Sequence, residues 1–207
     1  IGAAAFYDTA LTSIVFEDGT TPLTIGETGA VIDESDSIYQ SATYYAVFGG
    51  TSIASISLPG RLSTIGDFAF ASLDTDTPIA ITFGENSNLR LIGLAAFYGS
   101  NIASITIPGS VTTVNDYAFG STGTYAESAP FDITFAAGES DLELGNRVFA
   151  GSYLTTLTLP ARLTSIGANA FSYSTYNCSN LASINVDSEC KAYASKDGML
   201  YTGGFKE

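Results

Sequence analysis

Apolar residues recur along this chain in a fixed order. Three stretches align without gaps: Ile53-Ala-Ser-Ile-Ser-Leu-Pro59, Ile102-Ala-Ser-Ile-Thr-Ile-Pro108 and Leu154-Thr-Thr-Leu-Thr-Leu-Pro160. Alternation of apolar and small polar residues predicts a short strand with one buried and one solvated face. The proline ends it, because it has no N–H to give to a ladder. Further apolar residues follow at Leu62, Val111 and Leu163, then at Ile65, Val114 and Ile166. An Ala-Phe pair closes each copy at Phe70, Phe119 and Phe171, in every case 17 residues after the copy begins.

Looser copies lie between these. Ile81-Thr-Phe83 leads to Leu89, Ile92-Gly93 and Ala96-Phe97, and Ile133-Thr-Phe135 leads to Leu142, Leu144-Gly145 and Val148-Phe149. Leu11-Thr-Ser-Ile-Val-Phe16 with Ile25-Gly26 and Val47-Phe48, and Leu181-Ala-Ser-Ile-Asn-Val186, extend the series. The closing phenylalanines fall at 6, 48, 70, 97, 119, 149 and 171, with steps of 42, 22, 27, 22, 30 and 22. Long and short steps alternate, so the unit of the array is a pair of repeats. The pattern predicts a solenoid in which each strand stacks on the next and the Ile-Gly-x-x-Ala-Phe segment returns the chain on the far side. Glycine permits the bend, alanine the close approach, and phenylalanine fills the interior.

These residues resemble the leucine-rich repeats of BspA-like bacterial surface proteins, the Treponema-type repeat L-x-x-I-x-[LI]-P-x-x-[LV]-x-x-I-G-x-x-A-F-x-x-[CS]-x-x-L. Leu154 to Leu181 follow the pattern apart from extra residues after Phe171, and Cys178 stands at the family's cysteine position. Tyr193-Ala-Ser-Lys-Asp-Gly-Met-Leu-Tyr201 is similar to the Y-x-S-x-D-G-x-L-Y segment that often follows a terminal strand in this family. The resemblance implies a right-handed leucine-rich-repeat coil with a parallel β-sheet on one face and irregular or short 3-10 or strand segments on the other. It also implies surface display or secretion, adhesion, and binding of host or microbial macromolecules. It carries over no catalytic residue and no cofactor. On this reading residues 1–207 form one solenoid of about seven repeats, with an insertion at 27–46 and a terminal segment at 187–207. Ile1-Gly-Ala-Ala-Ala-Phe6 matches Ile166-Gly-Ala-Asn-Ala-Phe171, so the chain is expected to open inside a repeat of a longer parent.

Composition narrows the chemistry. The 207 residues include 7 Lys and Arg, 21 Asp and Glu, and no His, for a net charge of −14. Without His there is no Ser-His-Asp triad, no His-assisted thiol and no His-ligated metal. The acidity opposes a nucleic-acid partner. The 13 Phe and 12 Tyr set the chain apart from acidic disordered sequences. The uncharged run from Leu91 to Asn115 contains Pro108 and many Ser, Thr and Asn, too polar for a membrane span. Cys178 and Cys190 suit either a disulfide or two small buried thiols.

Alternation points one set of side chains outward from the repeat strands: Ser55, Ser57, Ser104, Thr106, Thr156, Thr158, Ser183 and Asn185. Ala80, Thr82, Asp132 and Thr134 extend the set. This surface of small hydroxyls suits an extended docking face for a host matrix or bacterial surface protein, and equally suits simple solubility. A carbohydrate-binding module is the alternative, with Tyr39, Tyr44 and Tyr45 as a stacking platform. Acids concentrate in Asp8 to Asp36 and in Glu127 to Glu143, either as a solvated surface or as an edge that steers a basic partner. Asp33, Glu34 and Asp36 offer hard oxygen ligands for calcium without an EF-hand spacing, and Asp74 and Asp76 are a weak acid–base pair. Arg61 and Arg162 share a repeat position, where each is expected to pair with a carboxylate one coil away.

Overall fold

The computed structural model describes residues 1–30, 45–73, 78–123, 130–173 and 176–203. The five repeats from Ile53 to Phe171 each contribute two short strands joined by a turn, whereas Leu11 to Phe16 form no strand. The Pro-terminated and related stretches form β2 (Ser55–Leu58), β4 (Ala80–Phe83), β6 (Ser104–Ile107), β8 (Asp132–Phe135), β10 (Thr156–Leu159) and β14 (Ser183–Val186). Residues ahead of the Gly corner form β1 (Leu23–Ile25), β3 (Leu62–Ile65), β5 (Leu91–Ile92), β7 (Thr113–Val114), β9 (Leu142–Leu144) and β11 (Leu163–Ile166). Almost no helix is present among the described residues, and no helix is long and apolar enough to cross a membrane.

The continuous sheet lies on the far side from the one expected. β1, β3, β5, β7, β9 and β11 form a six-stranded parallel sheet in that order. The outward-hydroxyl strands instead pair two by two, β2 with β4, β6 with β8 and β10 with β14. Single bridges at Ile79–Ile102 and Phe131–Leu154 link one pair to the next. Ile56 therefore neighbours Ile81, and Ile105 belongs to the following pair. The cause is length. From Ile65, Ile92, Val114, Leu144 and Ile166 to the closing phenylalanine is always five residues. That equal corner holds the strand ends in line from β3 to β11, and β1 joins them although 23 residues separate Ile25 from Phe48; bulges interrupt the register where β1 meets β3 and where β9 meets β11. Chain of variable length flanks the other strands, so their register holds only within pairs.

The corner after the second strand is built the same way each time. The residue two before the phenylalanine and the residue two after it take left-handed φ: Phe68 and Ser72 around Phe70, Ala95 and Gly99 around Phe97, Tyr117 and Ser121 around Phe119, Arg147 and Gly151 around Phe149. A non-glycine residue there is strained by about 1–2 kcal/mol. In return, the corner amides reach the next repeat: Phe70 N–H donates to Ala96 O at 2.8 Å, Phe97 N–H to Ala118 O at 2.8 Å and Phe119 N–H to Val148 O at 2.8 Å. The rings stack into a ladder, Phe6–Phe48–Phe70–Phe97–Phe119–Phe149–Phe171, with centroids 5.1–6.1 Å apart. With Ile and Leu from both strand sets they make one core along the array.

Polar side chains close the corners. Asp67 is buried, and its carboxylate accepts from Leu94 N–H at 2.8 Å and Ala30 N–H at 2.9 Å. Asp116 accepts from Asn146 N–H at 2.8 Å, and Asn146 Oδ1 accepts from Ala168 N–H at 2.8 Å. Among the described residues, Arg61 and Arg162 do not pair with a carboxylate. Arg61 donates to the carbonyls of Glu17 and Thr21, and Arg162 to those of Val111, Ser140 and Pro108. Those positions put the guanidinium among turn carbonyls that lack ladder partners, and burial pushes the pKa of Arg162 down.

The cysteines are free thiols. Cys178 Sγ donates to Phe149 O at 2.8 Å and lies 3.4 Å from Ser152 Oγ. Burial pushes the thiol pKa up, against the smaller opposite effect of its bonds with Ser152 and Gly151. Ser172–Tyr173 (β12) and Tyr176–Asn177 (β13) form a short antiparallel pair. Nearer the C-terminus a hairpin, β15 (Tyr193–Lys196) and β16 (Met199–Thr202), stacks on the last repeat. Tyr193 Oη accepts from Ile166 N–H at 2.9 Å, Ser195 Oγ accepts from Val186 N–H at 2.9 Å, and Gly198 O accepts from Ile184 N–H at 2.9 Å. Hydroxyls and one carbonyl thus occupy both strand edges that would otherwise be open to another chain.

Candidate functional site

On β2, β6 and β10 the buried and exposed residues alternate without a break. Ile56, Leu58, Ile105, Ile107, Leu157 and Leu159 enter the core, while Ser55, Ser57, Ser104, Thr106, Thr156 and Thr158 face solvent. Asn185 is exposed as well, but Ser183 is half-buried, because the hairpin brings Gly198 against it. Pairing sets these side chains in rows: Ser55 beside Ala80, Ser57 beside Thr82, Ser104 beside Asp132, Thr106 beside Thr134, Thr156 beside Ser183 and Thr158 beside Asn185. The hydroxyls of Thr106 and Thr134 are 2.9 Å apart, within hydrogen-bonding distance. The surface is therefore a set of short cross-strand rows with small, rotatable donors and acceptors. It can bond a ligand backbone or amide without much side-chain ordering cost.

Among the described residues, three troughs notch this face. One of about 410 Å³ lies between the segment Ile14 to Phe16 and β2. A second, about 810 Å³, runs between β4 and β6, and a third, about 500 Å³, between β8 and β10. The second and third sit where one strand pair gives way to the next. Sequence patterning showed the rows but not the troughs. Their trace in the sequence is the alternation of Pro-Gly or Pro-Ala turns with longer ones.

Of the three tyrosines of the aromatic platform, Tyr45 alone is among the described residues. Tyr45 stacks on Phe68 with centroids 5.8 Å apart, in a small cluster with Ala46, Ala71 and Tyr98. The residue is half-buried there. Tyr39 and Tyr44 lie outside the described residues, as do Asp33, Glu34 and Asp36 of the calcium alternative and the pair Asp74 and Asp76. No cluster of three metal-ligating side chains is present among the described residues.

Repeated two-strand units, a parallel sheet of six strands and a phenylalanine ladder define a leucine-rich-repeat protein. The family model for the BspA type leucine rich repeat region matches in 6 copies, over residues 41–176 and 132–196. The chain belongs to that family. Among solved structures it is similar to the pneumococcal vaccine antigen PcpA, with a TM-score of 0.59 and 23% identity over 93% of this chain and 47% of that one. It also matches a leucine rich cell surface protein from Faecalibacterium prausnitzii (TM-score 0.47, 25% identity, 73% of this chain and 43% of that one). A leucine-rich repeat protein from Bacteroides ovatus matches at TM-score 0.38 and 21% identity, over 68% of this chain and 39% of that one. The chain thus spans less than half the length of each of these structures. No curated protein matches it.

Proposed function

We propose that this chain is a non-catalytic scaffold for protein–protein interaction, borne on a bacterial cell surface or secreted, and that it adheres to host or microbial proteins. In this reading residues 1–207 form a single right-handed solenoid, the hand favoured when parallel strands are joined by crossovers. The partner docks on the face that presents Ser55, Ser57, Ser104, Thr106, Thr156, Thr158 and Asn185. The observation that carries the reading is the exposed side chains of β2, β6 and β10, each in register with its paired strand, on strands whose opposite sides are buried. Membership of the BspA-type family supports surface display and macromolecular binding.

Photo-crosslinking tests it. Crosslinkable residues replace Thr106 and Thr158 on this face, and Thr113 and Glu143 on the continuous sheet. The chain is then exposed to purified matrix proteins and bacterial surface proteins. Crosslinks from Thr106 and Thr158 are expected. Crosslinks confined to Thr113 and Glu143, or none with any protein, refute the reading.

A further inference from the structure

The turns after the outward-facing strands alternate in length and in charge. After β2, β6 and β10 the chain turns at once through Pro59-Gly60, Pro108-Gly109 and Pro160-Ala161. After Phe16, β4, β8 and β14 it makes turns that carry Asp18, Glu85, Glu139 and Asp187. Short turns pack closely on the longer turn that follows: a Cβ on Gly60 would lie 2.7 Å from Glu85 O, and one on Gly109 would collide with Ala137 O. The opposite side of each short turn is open, and there the troughs form.

Every trough has a carboxylate in its wall. The first holds Asp18 and Glu85, the second Glu139, the third Asp132 and Asp187. These carboxylates are exposed and make no ion pair with a described residue. Nearby guanidiniums are committed to carbonyls, Arg61 to Glu17 and Thr21, Arg90 to Ser110, and Arg162 to Val111, Ser140 and Pro108. Lys191 stands beyond the third trough, in a hollow with Glu139 and Glu189. Trough walls also supply hydroxyls at Thr82, Thr106, Thr134 and Thr158, and the first contains the exposed side chain of Val15.

Spacing selects the ligand. Successive troughs are two repeats apart, and the continuous six-stranded sheet stacks the repeats about 4.8 Å apart, so the troughs recur about every 10 Å. An extended chain advances about 3.3 Å per residue and a polyproline-type chain about 3.1 Å, so three residues span one interval. The Debye length at ~0.15 M salt is about 8 Å, shorter than that interval. A cation in one trough is therefore largely screened from the carboxylates of the next.

We infer that this edge is a docking track for an extended polypeptide segment with Lys or Arg at every third residue, lying across the strands with one cation in each trough. The inference rests on the protein-scaffold reading and names its partner's chemistry. The cation head meets the trough carboxylate, its aliphatic stem lies on the trough floor, and threonine hydroxyls bond the segment's backbone. A single exposed ion pair is weak, so affinity comes from several acting together.

The test uses the whole chain and two synthetic peptides of identical composition, one with three lysines at three-residue spacing and one with the lysines adjacent. Binding is read by fluorescence anisotropy at ~0.15 M salt. The spaced peptide is expected to bind about tenfold more tightly. The double variant Asp132→Asn, Glu139→Gln abolishes that preference, whereas Glu27→Gln with Glu143→Gln, away from the troughs, preserves it. Equal binding of the two peptides, no binding of either, or equal losses from both double variants overturns the track. The scaffold reading is decided separately by the crosslinking. Crosslinks from Thr106 to a partner without such a segment leave that reading standing and overturn the track.

Discussion

Replacing Asp67 with alanine probes the joint between three successive repeats. Asp67 is only 5% exposed, and its two oxygens accept from Leu94 N–H in the following repeat and from Ala30 N–H in the preceding one. Truncation leaves two amide donors without an acceptor. A hydrogen bond to a charged group contributes about 1.5–3 kcal/mol. Ala30 and Leu94 are half-buried, so water replaces part of the loss. The low end of the range applies, and two bonds give about 3 kcal/mol. That is a large fraction of the 5–15 kcal/mol of a typical domain. Asp67→Asn keeps one acceptor and sets an amide NH2 against the other donor, for about 1.5 kcal/mol. Urea denaturation followed by circular dichroism measures the global change, and amide hydrogen exchange at Ala30 and Leu94 reads the local one. The exposed Glu85→Ala serves as control and is expected to stay within about 0.5 kcal/mol of wild type. If Asp67→Ala is as mild as the control, or if exchange rises no more at Leu94 and Ala30 than elsewhere, the joint does not hold the repeats together.

Four further outcomes are expected. Phe97→Ala, in the middle of the ladder and fully buried, costs about 3–5 kcal/mol by chemical denaturation, and Phe6→Ala, half-buried at its end, costs about half as much; equal costs would refute a continuous ladder. Ala95→Gly is close to neutral, because relief of the left-handed strain offsets the lost methyl, whereas Ala96→Gly costs about 1.5 kcal/mol; the comparison is made by thermal unfolding. Tyr193→Phe removes the acceptor of Ile166 N–H, costs about 1 kcal/mol, and raises hydrogen exchange at Ile166 above that at Leu144. The Cys178 thiol has a raised pKa in the folded protein, so its stabilising effect is full below the ordinary thiol pKa of about 8.5 and is lost as pH rises above it. Iodoacetamide at pH 8 is expected to label unfolded chain much faster than native, as followed by mass spectrometry.

The sequence by itself determined the repeat, its alternating long and short units, the buried and exposed positions of β2, β6 and β10, and the phenylalanine interior. Each of these follows from local periodicity, and periodicity is a property of the chain. The equal length of the segment from Ile65 to Phe70 and its counterparts is also legible in the chain, and it accounts for the alignment of β3 to β11. What the sequence left open was which strands pair. Pairing depends on whether equal lengths meet in register across separate turns, and only the stacked array brings those turns together. The same holds for Arg61 and Arg162, whose nearest acceptors are carbonyls of turns 22 to 54 residues away in the chain. It holds for Tyr45, whose ring stacks on Phe68, and for Ser183, half-covered by a hairpin that begins ten residues later. The troughs are the clearest case. They exist because short and long turns are stacked side by side, and contact between turns is set by three-dimensional packing, which residue order along one strand does not encode.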